Sequence, residues 1–332
     1  MAEALLELEG LRVEFRGPRG ISRVLDGVSL RVAAGERVAV VGETGCGKSL
    51  TVLAILGLLP QGARFRGRLR LLGREVPAAE WGRSKRPLPG VAMVFQQPMS
   101  SLNPVFTVGD QLRAVARTLP HLRALPAPRL RARLLEVLSA VQLADGDRIL
   151  RSYPFQLSGG MRQRILIALA LLKEPKLLIA DEPGTALDVT LQAEILGLLD
   201  HLVRTQQLAL LHITHNLGVA RATTDRVYVM YAGSVVEEAA AEQLFSSPLH
   251  PYTAGLMRSV PRLDGSGFGE GIDGTLPSYL EVDLGCRFRQ RCTFRDSRCE
   301  EKPELSSPSP ERRVACHHWE LVRAAAALEE RV

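Results

Sequence analysis

An apolar run in the first sixth of the chain leads into a glycine-rich turn that could bind phosphate. Residues 37–41 read Arg-Val-Ala-Val-Val, the turn reads Gly-Glu-Thr-Gly-Cys-Gly-Lys-Ser, and a helix-prone run follows. Its glycines permit positive φ, so that successive N–H groups can face one concavity at a helix N-terminus. Lys48 would reach the β- and γ-phosphates, and the Ser49 hydroxyl would ligate Mg²⁺. The three glycines are Gly42, Gly45 and Gly47.

A second apolar run, residues 176–180, ends in two acidic residues, Asp181 and Glu182. The carboxyl ends of strands in α/β sheets are where ligand-binding groups collect. Asp181 suits Mg²⁺, directly or through water, and Glu182 suits the polarisation of an attacking water. The two runs together predict a nucleotide-hydrolysing site.

Two further strand ends carry polar side chains. Gln96 follows the apolar run 91–95 and could reach a site metal or water, while His215 follows the run 209–214. A lone histidine is more often structural, but this one lies at the same end of the predicted sheet as the phosphate loop.

A Ser-Gly-Gly turn precedes an apolar helix at residues 165–172. Ser158 is a plausible N-cap, and Gly159 and Gly160 leave backbone N–H groups accessible at the helix start. The turn could be a simple cap or a second anion-binding element.

The elements that must position these residues follow from periodicity. Residues 5–41 alternate apolar and polar side chains, residues 64–73 read as an antiparallel ribbon with an arginine-rich wet face, and residues 108–151 have helical spacing. The fold class predicted is α/β, with a P-loop NTPase (RecA-like) core, an antiparallel β subdomain and a helical subdomain.

Composition limits the class of protein. The 332 residues are 46% hydrophobic with a net charge of +6, which indicates a globular protein of about two domains and does not favour nucleic acid as a partner. The acidic start lacks a secretory signal, and no apolar run reaches membrane-spanning length. We therefore expect a cytoplasmic protein whose membrane contacts are made through partners.

Six stretches in this order resemble the ATP-binding subunit of an ABC transporter, over roughly residues 5–260. The phosphate loop is similar to the Walker A motif, and Asp181 with Glu182 to the Walker B end. The remaining matches are Gln96 for the Q-loop, residues 157–163 for the signature motif, Asp188 for the D-loop and His215 for the H-loop. The resemblance implies an ATPase that uses Mg²⁺, with Glu182, His215 and Gln96 as catalytic residues and Ser49, Gln96 and Asp181 around the metal. It also implies nucleotide contacts from Phe15, Cys46, Leu50, Ser158, Gly159, Gly160 and Asp188.

In this family, ATP lies between the Walker A motif of one subunit and the signature motif of another, so one chain holds half of each site. Residues 95–104, 159–164, 185–190 and 250–253 resemble the oligopeptide/dipeptide/nickel importer branch. The methionine of Gly-Gly-Met resembles the D-type subunit, which implies a paralogous F-type partner, or self-pairing, and two transmembrane permeases. An extracytoplasmic binding protein would act indirectly. Such a subunit lies peripherally on the cytoplasmic face of the cell membrane.

The chain departs from the branch at a few positions, none of which is a phosphate, metal or water ligand. They are Phe155, Gly184, Asn216 and Ala239. Cys46 is interpreted as a small filler in the phosphate loop. A helix N-terminus could nevertheless lower its thiol pKa, which predicts that alkylation inhibits the ATPase and that ATP protects it.

Composition changes after residue 260, and a cysteine-rich segment follows a glycine-rich linker. The predicted domains are residues 1–260, with a helical subdomain at about 105–172, and residues 261–332. The spacing C-x5-C-x6-C-x16-C permits a 4Fe-4S cluster or Zn²⁺, with free or disulfide-bonded thiols as the other possibility. The branch often carries this pattern, which fits an iron-sulfur cluster. The four residues are Cys286, Cys292, Cys299 and Cys316.

These features predict an ATP-hydrolysing subunit of a binding-protein-dependent importer of di- or oligopeptides. Nickel or another metal complex is an alternative substrate. The alternative from another class is a soluble ABC-type ATPase that acts as an assembly or regulatory scaffold with a metal- or redox-sensing tail. A nucleic-acid-associated ABC ATPase is disfavoured, because such chains usually carry two cassettes and this chain has one.

Overall fold

The computed structural model describes residues 3–78, 80–81, 88–95, 101–184, 187–259, 271–280 and 285–329. The chain forms two compact units. The first combines Met1–Arg86 with His212–Val332, and the second is Pro87–Leu211. The cysteine-rich end of the chain therefore belongs to the same compact unit as the phosphate loop.

Strands and helices alternate along most of the described chain. The strands are β1 (Ala4–Gly17), β2 (Gly20–Ala33), β3 (Arg37–Val41), β4 (Ala63–Leu71), β5 (Arg74–Glu75), β6 (Val91–Val94), β7 (Leu177–Asp181), β8 (Ala209–Thr214), β9 (Arg226–Tyr231), β10 (Ser234–Ala240), β11 (Ser306–Ser309) and β12 (Arg312–Val314). The helices are α1 (Lys48–Ile55), α2 (Val108–Thr118), α3 (Pro120–Arg123), α4 (Ala127–Ala140), α5 (Gly146–Arg151), α6 (Gly159–Leu171), α7 (Val189–Gln206), α8 (Leu217–Thr223), α9 (Ala241–Ser246), α10 (Pro251–Arg258) and α11 (Trp319–Glu329).

The first unit contains the predicted antiparallel region. Its four strands are hydrogen-bonded in the order β2-β1-β4-β5, and each neighbouring pair is antiparallel. Along β4, the side chains of Arg68 and Arg70 are exposed while those of Leu69 and Leu71 are buried. The arginine-rich wet face is thus the solvent side of a half-buried strand.

A second sheet in the first unit supports the phosphate loop. Its strands run in the order β11-β12-β10-β9-β3, with the end of β8 beside β3. Strands β3 and β9 are parallel, with Val41 opposite Val229. The C-terminal strand β12 pairs antiparallel with β10, which joins the end of the chain to the sheet.

A buried carboxylate secures this junction. Glu237 on β10 is 0% exposed, and its two oxygens accept hydrogen bonds from the backbone N–H groups of Leu249 (2.8 Å) and His250 (2.9 Å). The Arg312 guanidinium on β12 completes the site at 2.9 Å. A buried charge is tolerated when it is paired and hydrogen-bonded in this way.

The second unit packs helices on a short parallel sheet. Strand β6 pairs with β7, and β7 with the start of β8. One apolar cluster joins these strands to α2, α4, α6 and α7. The helical spacing predicted for residues 108–151 corresponds to four helices, the first of which begins in a capping box between Thr107 and Asp110.

None of the helices in the described parts of the chain is both long enough and apolar enough to cross a membrane.

The Glu237 site predicts a specific loss of stability. The substitution Glu237→Gln removes the charge that pairs with Arg312, and we expect the free energy of unfolding to fall by about 2 kcal/mol. Urea titration followed by tryptophan fluorescence measures this, since Trp81 and Trp319 both lie in the first unit. Glu242→Gln, at an exposed position on α9, is the control and should change stability by less than about 0.5 kcal/mol. Equal midpoints for the two variants would contradict the role of the pair.

Candidate nucleotide site and cysteine cluster

The phosphate loop packs directly against the end of β9. Gly42 follows β3 with φ of 151°, and a Cβ atom at this position would overlap the Met230 carbonyl oxygen. The backbone N–H of Gly233 donates to the Cys46 carbonyl at 2.8 Å. Only glycine fits where the loop turns away from the sheet.

The loop ends in a helix that is suited to bind an anion. Helix α1 begins at Lys48, its N-cap Gly47 has φ of 107°, and among the described residues no side chain caps its first turn. The Lys48 ammonium donates to the carbonyl oxygens of Gly42 (2.7 Å) and Glu43 (3.0 Å). A positive helix end and a cation thus border one loop, which is the arrangement that binds phosphate.

The expectation of a low thiol pKa for Cys46 was wrong. The side chain is 1% exposed, and burial raises its pKa above the ordinary value, although Lys48 acts in the opposite direction. Loss of solvation outweighs the favourable charge and the helix N-terminus. Cys46 is therefore a buried filler beneath the loop.

The other nucleotide residues predicted in the first unit lie on separate elements. Phe15 is half-buried near the end of β1, and Leu50 is half-buried in the first turn of α1. His215 is exposed directly after β8, and its neighbour Asn216 caps α8 by accepting from the Val219 N–H at 3.1 Å. Ser49 is exposed beside Lys48 at the start of α1.

In the second unit, β7 ends in the predicted acidic pair. Asp181 is the last residue of the strand and is buried, and Glu182 follows with φ of 47°. A left-handed backbone is uncommon outside glycine and is found where surrounding structure enforces it, often at functional sites. Gln96 and residues 185–186 lie outside the described residues.

The signature turn and the segment of Asp188 lie against each other in this unit. A Cβ atom on Gly159 would stand 3.1 Å from Leu187, and one on Gly160 would stand 3.1 Å from Leu191. Both neighbouring helices are capped locally: Ser158 accepts from the Met161 N–H at 3.2 Å, and Asp188 accepts from the Leu191 N–H at 3.0 Å. Ser158 therefore caps α6, and the backbone of Gly159 and Gly160 lies close to the segment that contains Asp188.

The four C-terminal cysteines lie together in the first unit, and all five cysteines of the chain are free thiols. Burial raises the pKa of Cys292 to about 11, and the neighbouring thiols Cys286 and Cys299 add to this shift. Burial and the same neighbours, together with Cys292, raise the pKa of Cys316 to about 12. Among the described residues, however, no three of these thiols have their sulfur atoms all within 4.8 Å of one another.

A narrower donor set lies beside one of these thiols. Ligand atoms of Asp296, Cys299 and His318 fall within 4.8 Å of one another. The backbone at Gly285 packs closely against Cys299, and only glycine permits this, because a Cβ atom at position 285 would lie 2.6 Å from the Cys299 carbonyl oxygen. Carboxylate, thiolate and imidazole are all ligands that zinc accepts, so these three residues are a possible metal site.

The sequence patterns missed several side chains around the phosphate loop. The Tyr252 hydroxyl accepts from the Glu43 N–H at 2.8 Å, the Tyr279 hydroxyl donates to the Gly45 carbonyl at 2.7 Å, and Arg291 pairs with Glu43 at 3.0 Å. These contacts join residues more than 200 positions apart, and no local pattern marks them.

A Walker-type phosphate loop, an acidic strand end and a Ser-Gly-Gly signature turn in one chain define a P-loop ATPase of the ATP-binding cassette class. The chain belongs to the ABC transporter family, whose profile matches residues 25–185. A second profile, described as the oligopeptide/dipeptide transporter C-terminal region, matches residues 236–299. The chain is accordingly an α/β ATPase that binds and hydrolyses ATP.

Several characterised or named relatives span nearly the whole chain. It is 45% identical to the probable peptide ABC transporter ATP-binding protein y4tR of Sinorhizobium fredii, covering 95% of both chains. It is 42% identical to the oligopeptide transport ATP-binding protein OppD of Salmonella typhimurium, covering 95% of this chain and 94% of the relative. It is 40% identical to the probable D,D-dipeptide transport ATP-binding protein DdpD of Escherichia coli, covering 92% and 94%.

Solved structures share the fold. The dimeric structure of a bacterial ABC transporter cassette matches with a TM-score of 0.59 at 28% identity, covering 71% of this chain and 98% of that one. A cassette in a post-hydrolysis state bound to ADP and phosphate matches with a TM-score of 0.58 at 30% identity, with the same coverage.

Burial of Cys46 predicts slow chemical modification. At pH 7.5 the thiolate fraction should be smaller than that of a free thiol, whose pKa is about 8.5, and the closed surroundings restrict access further. Iodoacetamide labelling followed by peptide mass spectrometry should show little carbamidomethyl Cys46 in the native protein, rising as the pH is raised above 8.5. The same protein in urea gives the rate for full access. Native labelling at that rate would contradict the burial.

Proposed function

We propose that this chain is the ATP-hydrolysing subunit of a binding-protein-dependent importer of di- or oligopeptides. The observation that carries the proposal is the joint presence of the ABC profile and of the oligopeptide/dipeptide transporter C-terminal region in one chain. The names of the relatives, which refer to peptide, oligopeptide and dipeptide transport, support it. In this proposal, residues 1–260 form the ATPase domain, with a helical subdomain at about 105–172, and residues 261–332 form the linker and C-terminal extension.

The residue roles belong to the same proposal. Ser49, Gln96 and Asp181 would hold Mg²⁺, Glu182 would act as the general base, and His215 and Gln96 would be the other catalytic residues. Phe15 and Leu50 lie near the nucleotide, while Ser158, Gly159, Gly160 and Asp188 act on the ATP bound by the partner subunit. The local support is the phosphate loop of the first unit and the contact of the Gly159 turn with Leu187 in the second.

A paralogous F-type subunit is the proposed partner, with self-pairing as the other arrangement. Each chain contributes one phosphate loop and one signature turn, and a related cassette has been solved as a dimer. ATP would favour the closed pair, and hydrolysis would remove that preference. Two transmembrane permeases complete the complex, which places this chain peripherally on the cytoplasmic face of the membrane.

The second unit presents an apolar surface that fits a permease segment. The side chains of Val105, Phe106 and Phe155 are exposed by 74%, 52% and 69%, and Phe155 stacks on Tyr153 at 5.5 Å. The two stretches are adjacent, because the Val108 N–H donates to the Ser152 carbonyl at 2.9 Å. A cluster of exposed aromatic side chains of this kind marks an interaction site.

A reconstituted complex tests the proposal. With the co-purified permeases in liposomes, the matching binding protein loaded with peptide should raise ATP hydrolysis, and peptide should accumulate inside. Glu182→Gln should retain ATP binding and lower kcat by about 10² to 10⁴, because it removes the proposed base.

Phe155→Asp should lose the permeases, whereas Leu321→Asp, at an exposed position in the first unit, should keep them. Stimulation by a nickel complex alone would overturn the substrate class, and an ATPase that associates with no permease would favour the scaffold.

We further propose that Cys286, Cys292, Cys299 and Cys316 hold a 4Fe-4S cluster, with Zn²⁺ as the alternative. The four free thiols lie together, and exposed arginines such as Arg295 lie close to them, which suits an anionic cluster. When bound, the cluster would fix four separate segments of the C-terminal region and could accept an electron.

Anaerobic purification provides the measurement. About four iron and four sulfide per chain are expected, with visible absorption that Cys286→Ser abolishes. One zinc per chain, lost in His318→Ala, would instead assign the Asp296, Cys299 and His318 set and overturn the cluster.

A further inference from the structure

The described part of the linker, residues 271–280, lies along the outer side of the phosphate loop. The Tyr279 hydroxyl donates to the Gly45 carbonyl at 2.7 Å, and the Tyr279 carbonyl accepts from the Arg23 N–H at 3.2 Å. The Leu276 side chain stands 3.7 Å from the place a Cβ atom on Gly45 would take. The segment therefore contacts the phosphate loop at Gly45.

Arg291 joins this segment to a second point on the loop. Its guanidinium lies 3.0 Å from the Glu43 carboxylate, and it donates to the carbonyl oxygens of Asp273 (2.7 Å) and Ile272 (3.0 Å). Its side chain is 7% exposed, and it also lies over the Tyr231 ring at 5.7 Å. Although burial acts to lower the pKa of Arg291, its hydrogen bonds to Glu43 and Tyr231 raise it, so the charge is retained.

We propose that Arg291 is a positioning residue for the phosphate loop, and that its ion pair with Glu43 sets the affinity of this chain for ATP. The inference rests on the ATP-binding activity and is independent of the transported solute and of the species bound by the cysteines. In this proposal, Arg291 acts through its contacts with Glu43 and the linker.

The physical reason is the entropy of the loop. Its glycines give the backbone many conformations, and a loop that must become ordered on binding lowers the affinity for its ligand. A guanidinium held by two backbone carbonyls and a tyrosine is itself fixed, so it can fix Glu43. The preformed loop can then bind phosphate without that loss.

The same contact links the cysteine cluster to the nucleotide. Arg291 is the last residue of the short 3-10 helix Arg289–Arg291, and Cys292 follows it directly. If the folded cysteine region favours ATP binding, thermodynamic linkage requires that ATP stabilises the cysteine region by the same factor.

A double-mutant cycle on the full chain tests the pair. Arg291→Gln is expected to raise KM and the dissociation constant for Mg-ATP about tenfold, with kcat within about twofold, since the base Glu182 is untouched. Glu43→Gln should have a similar effect, and the double variant should be no worse than either single variant. Arg68→Gln removes an equal charge at an exposed position on β4 of the same unit and is the matched control, with unchanged KM.

Two further measurements exclude a general folding defect. Tyr279→Phe removes only the hydroxyl that reaches Gly45, and KM should rise a few-fold in a protein with unchanged metal content. Hydrogen exchange should show that a non-hydrolysable ATP analogue protects residues 285–300 in the unmodified protein but not in Arg291→Gln. Additive effects in the cycle, or equal protection with and without the analogue in the unmodified protein, would overturn the proposal.

Discussion

The close approach of Gly42 to the Met230 carbonyl is the constraint on which the first unit depends. Parallel pairing of β3 with β9 brings the end of one strand under the turn that follows the other. The turn can then leave the sheet only with a left-handed glycine, and it is held by the bond between Gly233 and Cys46. This turn determines the positions of Lys48 and the start of α1, which follow it directly. Phosphate binding is therefore a consequence of how two strands are registered.

Opposite charges explain why the end of the chain belongs to this unit. Three buried acidic residues on strands of the first unit each have a cationic partner on the C-terminal region. Glu237 pairs with Arg312, Glu238 with Arg313, and Asp26 with Lys302 at 2.6 Å. Burial acts to raise the pKa of Asp26, but Lys302 and nearby arginines keep it below its ordinary value. Removal of the C-terminal region would leave Glu237 without the cation it pairs with, whereas Asp26 and Glu238 would keep Arg12 and Arg226.

Much of the site could be predicted from sequence because its chemistry is encoded locally. The phosphate loop, the acidic end of β7 and the turn at Ser158 each occupy a few consecutive residues next to an apolar run. The expectation of a lowered thiol pKa for Cys46 failed because the sequence shows the helix N-terminus but does not show the burial that raises the pKa. The contact of Arg291 with Glu43 went unrecognised, since pairing across 248 positions leaves no periodic signal. Strands β9 to β12 were also missed, although β9 and β10 form a local hairpin, as do β11 and β12. Gln96 keeps its predicted role without a structural description.

The first unit is built from both ends of the chain, with the second unit inserted between them. The phosphate loop is synthesised more than 200 residues before the partners of Glu43 and Gly45. Domains generally fold as units, and contacts between distant segments form late. A prematurely terminated chain would contain every nucleotide motif yet lack the residues that brace the loop. The braced form of the phosphate loop would thus arise only after Tyr279 and Arg291 have been synthesised.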